Sequence, residues 1–282
     1  MSLSVQATAY AAAACRAAET RSARPRLVDP LAALFTPDGV AAPVASLADA
    51  GREEVVGRTV LIDTMLVETL ARRPGAAVVN LGAGYCTRPY RLELPCREVV
   101  EADDPALLAL KEQVLHGQTP RCPVRRVGLD VRDPTALTAL LASAGDGGAV
   151  VVVTEGLLVY LASEQVRTLA GVLAGVSGVV GWLADIVGVD SARQMAAVAQ
   201  RIPGGLVLHG LGSLDPLERP GWRVAAYRAL PVTRPRYGPG PAAASRTVVD
   251  GVLSLEKAEP GPGNRESADR RAPIRRSRAS SG

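Results

Sequence analysis

The sequence predicts an α/β fold: a doubly wound, mostly parallel sheet covered by helices, preceded by a helical segment and closed by a late antiparallel hairpin at the sheet edge. Three observations carry this. Apolar runs of strand length alternate with helix-length segments from residue 76 to residue 184. The first run, Ala76 to Leu81, breaks into Gly82-Ala83-Gly84, a turn that lets backbone approach a ligand closely. About twenty residues on, the run Val99-Val100 ends in the acids Glu101, Asp103 and Asp104. Strand, glycine turn, strand and then acid is the logic of a nucleotide site at the carboxyl edge of such a sheet. The glycines admit the ligand and a carboxylate takes the ribose hydroxyls.

Taken in order, residues 5–21 read as a helix on the propensity of Ala11 to Ala14. Asp29-Pro30 starts a short helical turn through Phe35, because proline suits a first helical position. Residues 37–43 read as loop. Glu53 to Arg72 reads as a helix with an apolar stripe of Val56, Val60, Met65, Leu66 and Leu70, stopped by Pro74-Gly75. Strands are expected at 76–81, 97–101, 124–129, 149–154 and 179–184, the valine run at 149–154 being central. Between them come a short turn at 87–92 and helices opened by Pro105, Pro134 and Ser163. After Val189 the pattern loosens: a helix near 190–201, a Gly/Pro-rich stretch, then strand-like runs at 222–228 and 246–255 that suit the edge hairpin. Residues 1–256 read as one domain, with N-terminal helices over 1–72 and a ligand-binding core and acceptor region over 73–256. From 257 onward, Pro, Gly, Ser and Arg bury too little apolar surface to order, so 257–282 reads as a disordered basic tail.

Composition narrows the function classes. Hydrophobic residues make up 48% of the chain but aromatics only 3%, so the core is built from Val, Leu and Ala. The net charge of +4 sits in residues 257–282, where seven basic residues face three acids, leaving residues 1–256 neutral. A surface that neutralises many phosphates, and hence a nucleic-acid partner, is not expected. Cys15, Cys86, Cys96 and Cys122 form no CxxC pair, and His116 and His209 are the only histidines, so no metal site is expected. Scattered cysteines without a signal-peptide pattern fit a cytoplasmic location. The uncharged stretch Thr168 to Ala184 contains four glycines and reads as helix plus strand rather than a membrane span.

The glycine turn does not complete a dinucleotide fingerprint, because the third glycine position is Thr87, which counts against a nicotinamide-dependent oxidoreductase. Taken together, TAYAAAACRAAET (8–20), DPLAALF (29–35), RTVLID (58–63), LGAGYCTRPYRL (81–92), VVEADDPALLALK (99–111), GLDVRDP (128–134) and TEGLLVYL (154–161) resemble the leucine carboxyl methyltransferase-like family. These are class I, Rossmann-like methyltransferases dependent on S-adenosylmethionine, and they include bacterial polyketide O-methyltransferases. The resemblance covers about residues 5–175.

It implies roles at matching positions. Arg58 would pair with the cofactor's methionine carboxylate, with Arg16 as a further clamp on it. Gly82 and Gly84 would let the cofactor lie against the first strand. Asp103, with Glu101 as rival, would bind the ribose diol. Asp130 and Val131 would flank the adenine. Glu155 would sit beside the sulfonium, and Tyr160 near the methyl-transfer pocket, the two forming the catalytic set. Each has a structural rival: a helix N-cap at Asp103, a capped turn at Asp130, an ion pair at Glu155, simple packing at Tyr160. The implied activity is O-methylation of a small-molecule acceptor. A carboxylic acid is preferred to a phenol or alcohol, because an ionised carboxylate needs no general base and neither histidine lies in a motif. One departure stands out. Cys86 occupies a position that is usually Asp in the family, so Arg88 is expected to lack a carboxylate partner, which would loosen the glycine loop and weaken cofactor binding.

Overall fold

The computed structural model describes residues 3–36, 42–200, 206–230 and 248–258. Of the loop expected at 37–43, residues 37–41 lie outside these, and of the tail expected from 257, residues 259–282 do; Lys257 instead ends the last strand. Seven strands form one sheet in the order β3-β2-β1-β4-β5-β7-β6. They are β1 Ala77–Leu81, β2 Val99–Asp103, β3 Val124–Gly128, β4 Val150–Thr154, β5 Val179–Ile186, β6 Trp222–Ala229 and β7 Gly251–Lys257. β1 to β5 run parallel, and β7 is antiparallel to both β5 and β6. The late hairpin therefore lies at the edge as expected, with its second strand turned inward against β5. From β1 the chain steps outward through β2 to β3, then returns to lay β4 on the other side of β1. That reversal opens a crevice at the carboxyl ends of β1 and β4, the place where doubly wound sheets bind ligands.

β1 and β4 are buried along their whole length, as their runs AVVNL and VVVVT require for strands covered on both faces. One face packs under α5 (Pro134–Gly145) and α6 (Ser163–Gly175), the other under α2 (Ala42–Arg72) and, beside β2 and β3, α4 (Pro105–Val114). With so few aromatics, two carry unusual weight. Trp182 and Trp222 meet edge to face at 5.6 Å. Their indole N–H groups donate to Thr154 Oγ1 (3.0 Å) and the Ala170 carbonyl (2.9 Å), tying the edge hairpin to β4 and α6.

Several boundaries move for tertiary reasons. α2 starts eleven residues before the expected Glu53 and takes in Pro43, because it packs lengthwise on α1 (Leu3–Thr20); the Cys15 thiol donates to the Ala48 carbonyl at 3.3 Å. β5 runs past Ala184 to Ile186 because the antiparallel ladder with β7 continues from Ala184↔Leu253 to Ile186↔Gly251. β7 begins only at Gly251, since the Asp250 carboxylate just before it accepts from the Gly188 amide (2.8 Å). The short turn at 88 is α3 (Arg88–Arg91), the loop after Val187 leads into α7 (Val189–Ala199), and one further turn, α8 (Asp215–Glu218), has no counterpart in the sequence pattern.

Glu101, the rival ribose ligand, does not line the crevice. It points from the middle of β2 into the layer under α4, fully buried, and accepts from Lys111 Nζ (2.7 Å) and Arg126 Nε (3.1 Å). A carboxylate so placed neutralises a buried lysine and does not reach the crevice. Glu101→Gln leaves the fully buried Lys111 ammonium without its counter-charge and is expected to cost about 3 kcal/mol in denaturant unfolding, with ligand affinity of the folded protein unchanged by calorimetry.

Candidate active site

The crevice opens into a cleft of about 820 Å³, its open mouth included, roofed by α1 residues Thr8, Ala9, Ala12 and Arg16. Its floor is the glycine turn. Gly82 and Gly84 adopt φ of +67° and +46°, where a side chain is strained, and a Cβ on Gly82 would stand 3.0 Å from Leu157. The Gly84 amide donates to Asp103 Oδ2 (2.7 Å) while Asp104 N–H donates to Oδ1 (2.7 Å). Asp103 is thus fixed at the lip of the cleft by backbone donors, and the N-cap of α4 is its neighbour Asp104. Burial raises the Asp103 pKa, with the two amides acting against that.

The polar wall of the cleft is a network of arginines and carboxylates. Arg58, from α2, lies between Glu155 (Nε to Oε1 3.5 Å) and Asp185 (Nη1 to Oδ2 3.6 Å). Its buried Nε–H finds no hydrogen-bond partner among the described residues. Gly156 makes room for this guanidinium: a Cβ there would lie 2.6 Å from Arg58 Nη2. Its amide donates to Asp185 Oδ1 (2.7 Å). Burial pushes the Asp185 pKa up, against the pull of Arg58.

Glu155 accepts from Arg88 Nη2 (2.6 Å) and Thr59 Oγ1 (2.5 Å). Burial works to raise its pKa, but Arg88 and Arg58 outweigh burial and hold it at about 2. Tyr160 sits on the turn after β4, with its hydroxyl hydrogen-bonded to Thr8 and its pKa raised by burial.

The expectation that Arg88 lacks a carboxylate is overturned. Arg88 is buried with two of them: Nε donates to Asp63 Oδ1 (2.5 Å) and Nη2 to Glu155, while Nη1 reaches Cys86 Sγ at 3.3 Å. Asp63 also takes both Nη groups of Arg91. α2 therefore supplies the acid that the loop lacks. Cys86 takes the remaining N–H as a weak acceptor, and the glycine loop stays anchored.

Other expected positions divide. Arg16 lines the cleft, but its Nε donates to Asp29 Oδ2 (2.8 Å) and its Nη2 to the Tyr85 carbonyl (2.7 Å), so it clasps α1 onto the loop after the glycine turn. Tyr85 in turn stacks on Phe35 (4.5 Å). Asp130 and Val131 are not brought to the cleft wall. Asp130 is exposed and accepts from the Arg132 amide (2.9 Å) and guanidinium, which lowers its pKa, so here the capped turn is what the structure contains. Val131 leans on the core beside it. Asp63, Asp185, Thr59 and Asn80 were not singled out from sequence. Two carried a readable signal, an acid closing the buried run GWLADI and a polar residue inside AVVNL.

The cleft thus offers an unpaired arginine donor, a fixed carboxylate at the β2 edge and glycine backbone at the end of β1. That set fits a ligand bearing a carboxylate and a diol. A sequence model of the leucine carboxyl methyltransferase family matches residues 9–174. The chain belongs to this family. It is 32% identical over 252 residues to a protein of Mycolicibacterium paratuberculosis named "Putative S-adenosyl-L-methionine-dependent methyltransferase", spanning 78% of this chain and 80% of that one. A Frankia alni protein of the same description is 33% identical over 180 residues, 58% of this chain and 62% of its own. A DUF574 family protein of Streptomyces avermitilis shares the fold, with a TM-score of 0.53 at 12% identity over 87% of this chain and 96% of that one. The protein is an S-adenosylmethionine-dependent methyltransferase of the class I fold. No helix among the described residues is long and apolar enough to cross a membrane.

The depressed pKa of Glu155 gives the methyltransferase a signed pH dependence. A carboxyl ordinarily near 4.5 and held at about 2 contributes stability that is complete above pH 4.5 and lost as pH falls toward 2, worth roughly 3 kcal/mol. Glu155→Gln is expected to lower stability at neutral pH and to flatten the acid limb of a denaturation series. An acid limb of unchanged slope would contradict this account.

Proposed function

We propose that this methyltransferase forms a methyl ester on a small-molecule carboxylic acid of secondary-metabolite, polyketide-like type. The observation that carries the reading is the chemistry of the cleft wall. Glu155, the carboxylate on the cleft wall after β4, has its pKa held at about 2 by two arginines and a threonine hydroxyl, and no histidine lines the cleft among the described residues. A group with so low a pKa is a poor proton acceptor at neutral pH, where a general base works best with a pKa near the working pH. A hydroxyl acceptor would need such a base. A carboxylate acceptor arrives ionised and needs none.

The geometry supports the following roles. Bound S-adenosylmethionine supplies an activated methyl group on a sulfonium. Arg58, with its unpaired Nε–H, is the donor for the cofactor carboxylate. Asp103 accepts from the ribose hydroxyls while its amide donors keep the carboxylate fixed. The glycine turn admits the cofactor against β1. α1, clasped by Arg16, roofs the site and excludes water, and Tyr160 with Thr8 borders the acceptor side. The protein's contribution to rate is then alignment and desolvation of the acceptor carboxylate. The partners are small molecules, and the reading places the enzyme in the cytoplasm.

Calorimetry on Arg58→Met separates the parts of this reading. S-adenosylmethionine should bind at least tenfold more weakly than to the parent, about 1.4 kcal/mol or more. Its decarboxylated analogue should bind both proteins alike. An equal loss for both ligands would remove Arg58 from the carboxylate site. Incubation of the parent with a panel of aromatic and aliphatic acids and matching phenols should give base-labile methyl esters, and methyl ethers instead would replace the carboxylate acceptor by a hydroxyl.

A further inference from the structure

Two of the four cysteines lie at the opposite end of the sheet from the cleft and face one another. Cys96 ends the loop that leads into β2, and Cys122 immediately precedes the Pro123 that leads into β3. The strands are neighbours in parallel register, Val99 opposite Val124, and Val99 N–H donates to the Pro123 carbonyl (2.8 Å). Counted back along that register, Cys122 falls level with Arg97, one residue from Cys96. Neighbouring strands stand about 4.8 Å apart, within the span of about 4.4–6.8 Å between Cα atoms that a disulfide bridges. Both side chains pack into the cluster under α2, near enough for each thiol to act on the titration of the other.

The pair is asymmetric. Cys96 is partly exposed, while Cys122 is buried at 7% exposure. The neighbouring Cys122 thiol lowers the Cys96 pKa, with burial acting against it, and the proximity of Cys96 raises that of Cys122. An accessible thiol favouring its thiolate beside a buried partner is the arrangement of an attacking and a resolving cysteine. The other two thiols differ: Cys15 is buried with its pKa raised to about 11, and Cys86 is occupied by Arg88 inside the cleft.

We propose that Cys96 and Cys122 form a reversible oxidation site that closes to a disulfide under hydrogen peroxide, separate from the methyl-transfer chemistry. The Cys96 thiolate attacks one peroxide oxygen, the O–O bond breaks, hydroxide leaves and a sulfenic acid remains. The Cys122 sulfur then displaces that oxygen. An S–S bond forms, the thiol proton leaves with the oxygen as water, and two electrons have passed from the two sulfurs to peroxide. The bond would staple the leading ends of β2 and β3 across a 25-residue connection.

The test uses the full chain, oxidised with a small molar excess of hydrogen peroxide. The titratable thiols should fall from four to two and the intact mass by two hydrogens. A non-reducing peptide map should show a Cys96–Cys122 cross-link that dithiothreitol reverses, and the oxidised protein should melt at a higher temperature. Cys96→Ser and Cys122→Ser should each abolish the mass loss. Four surviving thiols, a cross-link mapped to any other pair, or sulfinic acid on Cys96 with Cys122 still free would overturn the proposal. Because the map is read on the parent protein, it stands whether or not either variant folds.

Discussion

A shared negative charge at the end of β4 holds the active-site half of the molecule together. Glu155 binds Arg88 from the start of α3 and Thr59 from α2, and lies against Arg58 from α2. Asp63 closes the circuit by holding Arg88 and Arg91 from the other side. A buried arginine is costly to desolvate and tolerable only with its donors engaged. Arg88 meets that condition fully, at three acceptors. Arg58 does not, since its carboxylates stand at 3.5–3.6 Å and its Nε–H is unpaired. Within the network the Nε–H groups of Arg58 and Arg91 lack a hydrogen bond, and at Arg58, where both carboxylates stand off, a ligand carboxylate would supply one.

The same network explains why the loss of an acid at position 86 does not undo the site. The guanidinium of Arg88 spreads its donors over three directions, so one lost acceptor within the loop is tolerable when a helix behind it presents another. Asp63 is that acceptor, in register on α2 because the helix lies along the sheet face that contains Val78 and Val153. What a local reading of the loop sees as a defect is a change of partner. The wall opposite is built more simply: Arg16, Asp29 and the Tyr85 carbonyl pin an alanine-rich helix close over the glycine turn, with a Cβ on Gly84 standing only 3.7 Å from Ala9.

Much of the fold was legible because its signals are local. β1, β4 and β5 are predominantly apolar runs, and Pro105 and Pro134 stand at first helical positions behind the caps Asp104 and Asp133. Gly82 and Gly84 were readable for the same reason, since positive φ is a property of the residue itself. The misreadings share the opposite character. Glu101 and Asp103 are two residues apart on one strand and look alike on paper, yet both point to the same side of β2, and only depth decides their fates. Glu101 sits under α4 against Lys111, while Asp103, at the strand end, meets the Gly84 amide. Asp130 likewise has the right position after β3, but its turn gives the carboxylate to Arg132.

The sequence by itself determined the parallel sheet, the crevice beside β1, the glycine turn and the class of cofactor, because strand periodicity, backbone freedom at glycine and motif order are written along the chain. Only the tertiary structure decided which charges meet. Asp63 is 25 residues from Arg88, Glu155 is 67, and Asp185 stands on β5 across from an arginine on α2. The worth of each pair depends on burial and on distances of a few ångströms that no spacing along the chain encodes.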